Sequence, residues 1–246
     1  MITIKISKNC EFCVSPFFSV LELAAIFLLL QNARFVDRPE LNGAQCLAAS
    51  FLVLGGTLGS LFMHEYAHFS AARWLKLPVR GITISMFGAY TYFESEPATP
   101  REAFVVSIAG PTANILAGAF FYIAHFFLMR HSVIAGSALL CVALFNGVFS
   151  AYNLLPVMPL DGALILRSVF WGASSNQGWS TRVSFAIGTG IVLISIGAGV
   201  VNMFIFKPLL SATLIVLGIS LWQTERQAYQ QMMSARFFSM VKPGSH

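Results

Sequence analysis

Residues 46–74 read "CLAASFLVLGGTLGSLFMHEYAHFSAARW", an apolar run that ends in two histidines and a glutamate. The run exceeds the roughly 20 apolar residues that a membrane helix needs. It therefore reads as a span that tilts or projects from the bilayer. Ionisable side chains are costly in such a setting and usually mark function. On a helix, His64 and His68 are four residues apart and share one face. Glu65 is turned away from them by about 100°. Two imidazoles at this H-E-x-x-H spacing can hold one zinc ion, and the carboxylate can then reach a water at the metal. The plainer alternative makes both histidines interfacial residues hydrogen-bonded to carbonyls.

The rest of the chain agrees with a membrane setting. Of its 246 residues, 57% are hydrophobic and 10% charged, and the mean hydropathy is +0.73. A soluble domain carries about 25% charged residues. The net charge of +5 comes from basic residues scattered between apolar segments, not from the stripe that nucleic acid requires. Candidate spans lie near 16–33, 45–75, 103–129, 132–155, 183–206 and 208–224. After the fourth, "PVMPLDGALILRSVF" is short and carries two prolines, which reads as a broken or re-entrant segment leading into a short helix. The loop "GITISMFGAYTYFESE" is rich in β-branched and aromatic residues and reads as a hairpin over 81–93 with its turn at Phe87–Gly88. The expected fold is an all-α polytopic membrane protein. It has about six transmembrane helices, a β-hairpin between spans 2 and 3, and the broken segment after span 4.

Organisation follows as one membrane-embedded domain over 1–246. Its core is about 45–172, with peripheral helices at 16–33 and 183–224 and a tail at 225–246. If the N-terminus is cytoplasmic, eleven Lys and Arg fall on the inner side and four on the outer. That bias places both termini, and the HEYAH end of the second span, toward the cytoplasm of a bacterial inner membrane. "KISK" opens the chain, but no small-residue cleavage site follows the first apolar run, so that run reads as an uncleaved span. Cys10 and Cys13 form one CxxC without a second pair and read as structural. Cys46 and Cys141 read as buried hydrophobes. Glu22 and His125 read as interfacial or paired residues. Asn146 either bonds across helices or lines the site.

Zinc needs a third protein ligand. The chain holds only ten acids, and Asp161 sits in the apolar "NLLPVMPLDGALI". The alternative role for Asp161 is a helix N-cap ahead of Gly162. Charge favours a ligand. Zinc at +2 with Asp161 and Glu65 at −1 each sums to zero, which a low-dielectric interior tolerates.

"HEYAH", followed about 90 residues later by "NLLPVMPLDG", resembles the site-2 protease family of intramembrane zinc metalloproteases. Asn153, Pro156, Leu160, Asp161 and Gly162 match the family's N-x-x-P-x-x-x-L-D-G run. "SIAGPTAN" at 107–114 is similar to its A-G-P-x-x-N stretch. The resemblance covers about residues 55–170 and is to the compact branch typified by the sporulation-factor proteases. Ala163 departs from it, where many members have a second glycine, and Tyr66 is bulkier than usual. The resemblance implies one Zn2+ per chain on His64, His68 and Asp161, with Glu65 as general base. It implies substrate-binding roles for Asn153 and Pro159, and a place for Asn114 close to the site. The implied activity is regulated intramembrane proteolysis of single-span membrane-protein substrates, with room for a regulatory or inhibitory membrane partner and no role for nucleic acid. A metal or proton transporter would instead show repeated halves with matched broken helices, and none is visible. A catalytically silent relative would have no use for Glu65.

Overall fold

The computed structural model describes residues 2–7, 10–14, 43–85, 88–93, 97–205 and 218–230, with Ile215, Met232 and Met233. Its helices are α1 (Gly43–Trp74), α2 (Pro100–Met129), α3 (Val133–Asn153), α4 (Asp161–Ser174) and α5 (Gln177–Ile205), followed by helical residues at 218–230. Four of them, α1, α2, α3 and α5, are long and apolar enough to cross a membrane. They correspond to the expected spans at 45–75, 103–129, 132–155 and 183–206. The expected span at 16–33 lies outside the described residues, and that at 208–224 lies largely outside them. Two compact units divide the chain: Met1–Pro97 with Ile108–Ala151, and Ala98–Ser107 with Tyr152–His246.

In the first unit, strands β1 (Ile2–Ser7), β2 (Cys10–Val14), β3 (Val79–Ser85) and β4 (Gly88–Phe93) form one sheet in the order β1-β2-β3-β4. β3 and β4 pair antiparallel from Val79↔Phe93 to Ser85↔Gly88. β2 joins β3 in parallel, from Glu11↔Gly81 to Val14↔Ile84. The sequence suggested a hairpin alone; the N-terminal pair extends it and, among the described residues, leaves β4 at an edge. Both cysteines of the CxxC lie on β2, not at the start of a helix where a redox pair would gain from the dipole.

Local chemistry sets several helix ends. α1 stops where Lys76 turns left-handed at φ 61° and Leu77 N–H reaches back to Ala72 O at 2.9 Å, a Schellman closure with lysine in the usual glycine position. α2 opens on a capping box. Thr99 Oγ1 accepts the Glu102 N–H at 3.2 Å, and Glu102 Oε2 accepts those of Thr99 and Ala98 at 3.2 and 2.9 Å. Pro100 occupies the first helical position, where its missing N–H costs nothing. Between α4 and α5, Ser175 is left-handed at φ 54° and Asn176 Oδ1 caps Trp179 N–H at 3.0 Å. This is the polar Ser/Asn junction visible in the sequence.

Polarity is reversed relative to a soluble protein. Ser50, Thr57, Ser60, His64, Asn114, Asn146, Ser150, Ser180 and Ser184 are buried, while Phe51, Leu116, Phe120, Phe127, Val148 and Ile194 are exposed. Helices that bond their own backbones and turn apolar side chains outward suit lipid as solvent. The chain is an integral membrane protein by this measure.

Candidate metal centre

One face of α1 carries Ser60, His64 and His68 at successive four-residue intervals. His64, Glu65 and His68 are all buried, at 2%, 5% and 7% exposure. One ligand atom from each lies within 4.8 Å of the other two. The two imidazoles meet edge to face, and their Nε2 atoms are 3.1 Å apart. Two ligands of tetrahedral zinc, each at about 2.0–2.1 Å, are separated by about 3.3 Å. The nitrogen pair therefore fits such an ion without rearrangement of α1.

The orientation of His64 can be deduced from a chain of hydrogen bonds that starts at a backbone carbonyl. Val142 O can only accept, so the Asn146 amide nitrogen faces it, at 2.8 Å. The same nitrogen donates to Ser60 Oγ at 2.8 Å, and Ser60 in turn donates to Gly56 O at 2.7 Å. Asn146 Oδ1 is thus turned toward Asn114 Nδ2, at 2.8 Å. Asn114 Oδ1 is then left for His64 Nδ1, at 2.6 Å. His64 Nδ1 must carry the proton, and Nε2 keeps its lone pair for a metal. The Phe149 ring packs edge-on against His64 at 5.1 Å and limits its rotation.

Asn114, expected close to the site, holds a candidate ligand through His64 Nδ1. Asn146, ambiguous from sequence, bonds across helices and reaches the site through Asn114. Neither role nor the part of Ser60 could be read with assurance from one chain. The four-residue step from Ser60 to His64 is nevertheless a visible signal. Gly110, in the A-G-P stretch of α2, brings that helix against the imidazoles. A Cβ there would collide with His68 Nε2 and lie 2.7 Å from His64 Nε2. His125, on the same helix, is elsewhere, with Nδ1 2.8 Å from Gly136 O.

The second unit carries the remaining sequence candidates. Asn153 ends α3 and is buried at 8% exposure, and Pro159 is exposed. Residues 154–160 are non-helical, and α4 begins at Asp161. The N-cap position belongs to Leu160, which is extended and makes no side-chain cap bond. Asp161 is therefore the first helical residue and not the cap. Its carboxylate sits in the positive end of the helix dipole, where a negative charge is favoured.

Comparison with known proteins adds independent observations. Residues 52–139 match the family described as Peptidase family M50. The chain is 28% identical over 214 residues to "Putative zinc metalloprotease sll0528" of Synechocystis sp., covering 86% of this chain and 55% of the relative. It is 27% identical over 247 residues to "Putative zinc metalloprotease Rip3" of Mycobacterium tuberculosis, covering 97% of this chain and 62% of the relative. The chain thus spans little more than half the length of these relatives. Its fold matches that of the site-2 protease from Methanocaldococcus jannaschii with a TM-score of 0.60 at 19% identity, over 93% of this chain and 94% of that one.

Proposed function

We propose that this chain is a member of the site-2 protease family (peptidase family M50) and an intramembrane zinc endopeptidase that cleaves transmembrane segments of membrane-protein substrates. The observation that carries this reading is the buried pair of Nε2 atoms 3.1 Å apart beside Glu65, with His64 held in the metal-binding tautomer. His64 and His68 would supply two zinc ligands and Asp161 the third. Zinc in that position would make a bound water acidic and polarise the scissile carbonyl.

The chain's own groups have distinct tasks. Glu65 takes a proton from the attacking water and returns it to the departing amine. Asn114 and Asn146 keep the His64 ring from turning. A helical substrate hides its carbonyls in backbone bonds and must unwind before attack. β4 supports a route for this, because as an edge strand it can accept an extended segment as an added strand. Asn153 and Pro159 would hold that segment near the metal. The Lys/Arg distribution supports a site and both termini on the cytoplasmic side of the cell membrane. The implied partners are a single-span substrate and a regulatory membrane protein.

The test uses the purified full chain with a single-span substrate in vesicles. Cleavage should stop on chelation and return with zinc. Glu65→Gln should bind zinc like the parent and cleave at least a thousandfold more slowly. Wild-type cleavage by that variant would reject Glu65 as the base, and chelator-resistant cleavage would reject the metalloprotease reading.

A further inference from the structure

The helical residues at 218–230 carry a glutamate in an unexpected place. Glu225 is 0% exposed, although the sequence around it, "QTERQAY", looks like a solvated tail. Its side chain enters a notch in α5. Glu225 Oε1 lies where a Cβ of Gly188 would stand, and the Pro156 carbonyl oxygen is 2.8 Å from that same point. Thr189 Oγ1 donates to Glu225 Oε2 at 3.2 Å. The backbone N–H of Met158 also donates to the carboxyl group.

Met158 belongs to the non-helical segment that delivers Asp161. Within that segment Leu155, Val157 and Leu160 donate to Tyr152, Leu155 and Val157 carbonyls at 3.1, 2.8 and 2.9 Å. The Met158 N–H instead points outward to Glu225. Val157 and Met158 are buried at 1% and 0% exposure. A carboxyl oxygen accepts and so suits the Met158 N–H. Burying such a group is expensive unless its hydrogen bonds repay it. That cost makes little sense for a mere filler.

We propose that Glu225 is a positioning residue: from the C-terminal helix it fixes the 156–160 segment and so sets where Asp161 stands. The proposal rests on Asp161 being a metal ligand. Glu225 touches no reacting atom; it acts through Met158. It also gives "IGTG" at 187–190 a purpose, with Gly188 admitting the carboxylate and Thr189 steadying it.

The experiment compares the full-length protein in detergent with Glu225→Ala, Glu225→Gln, Thr189→Val and Asp161→Ala. Two quantities are read: amide hydrogen exchange in peptides covering 155–164, and zinc affinity by chelator competition. Glu225→Ala should speed exchange around Met158 and weaken zinc about tenfold, the scale of supporting residues around metal ligands. Glu225→Gln keeps an oxygen to accept the same N–H and should stay within about threefold of the parent on both measures. Thr189→Val should fall between them, and serves if Glu225→Ala fails to fold. Parental exchange and affinity in Glu225→Ala or Thr189→Val would overturn the proposal. So would a glutamine variant as impaired as the alanine. Parental zinc affinity in Asp161→Ala would reject the ligand reading, while the exchange data still decide whether Glu225 holds the segment.

Discussion

At the level of single residues, the centre depends on which nitrogen of His64 bears a proton. Side-chain amides can rotate, but the Val142 carbonyl cannot donate, and that asymmetry propagates through Asn146 and Asn114 to the ring. Removing Asn114 should free the ring without deleting a ligand. Asn114→Ala is expected to lose 10- to 100-fold in zinc affinity, measured by chelator competition, while the helical content by circular dichroism stays unchanged. The histidines were legible in the sequence because their spacing is local: four residues place two rings on one face of any helix. Asn146 was not, because its partner Ser60 is 86 positions away and only the tertiary packing of α1 against α3 selects it. Glu225 was missed for a related reason. A glutamate among Gln, Thr and Arg carries every mark of exposure, and its burial comes from Gly188, which sits in another helix.

Among the elements, α2 shows how a short signal fixes a long helix. "TPRE" at 99–102 supplies an N-cap, a proline at the first position and a reciprocal carboxylate. Thr99→Val is expected to destabilise the protein by about 1 kcal/mol, seen as a lower thermal midpoint in detergent. Glu102→Gln should cost less, since its amide oxygen still accepts the backbone N–H groups. The four described spans were legible from apolar length alone. The N-terminal strands were harder. "ITIKIS" alternates with the strand period, yet a basic opening before an apolar run also has the look of an export signal. Only its pairing with β2, which in turn pairs with Thr83 and its neighbours on β3, reads it as a strand. The boundary placed at 224 also falls inside a helix that runs 218–230. Tyr229 stacks on Phe185 at 4.2 Å, so this stretch packs against α5.

For the molecule as a whole, the inverted distribution of polarity is the governing feature. Leu116 and Ile194 are 66% and 73% exposed, and in water such positions would invite aggregation. In a bilayer they are solvated by lipid. Leu116→Asp is expected to cost about 2.5–3.5 kcal/mol of insertion free energy, read as a smaller membrane-integrated fraction in an insertion assay. Composition made this setting plain from the start, since hydrophobic content responds to solvent and not to fold detail. Which polar residues face inward could not be read off, because an apolar helix with serines on one stripe gives little periodic contrast.

The amide relay behind His64 has a further consequence. Since its Nδ1 is already committed to Asn114, the ring has one electron pair to offer, on Nε2. A divalent cation added to the protein should therefore engage that nitrogen alone: nitrogen NMR should show the Nε2 signal of His64 shifting as zinc is supplied, while Nδ1 keeps its hydrogen.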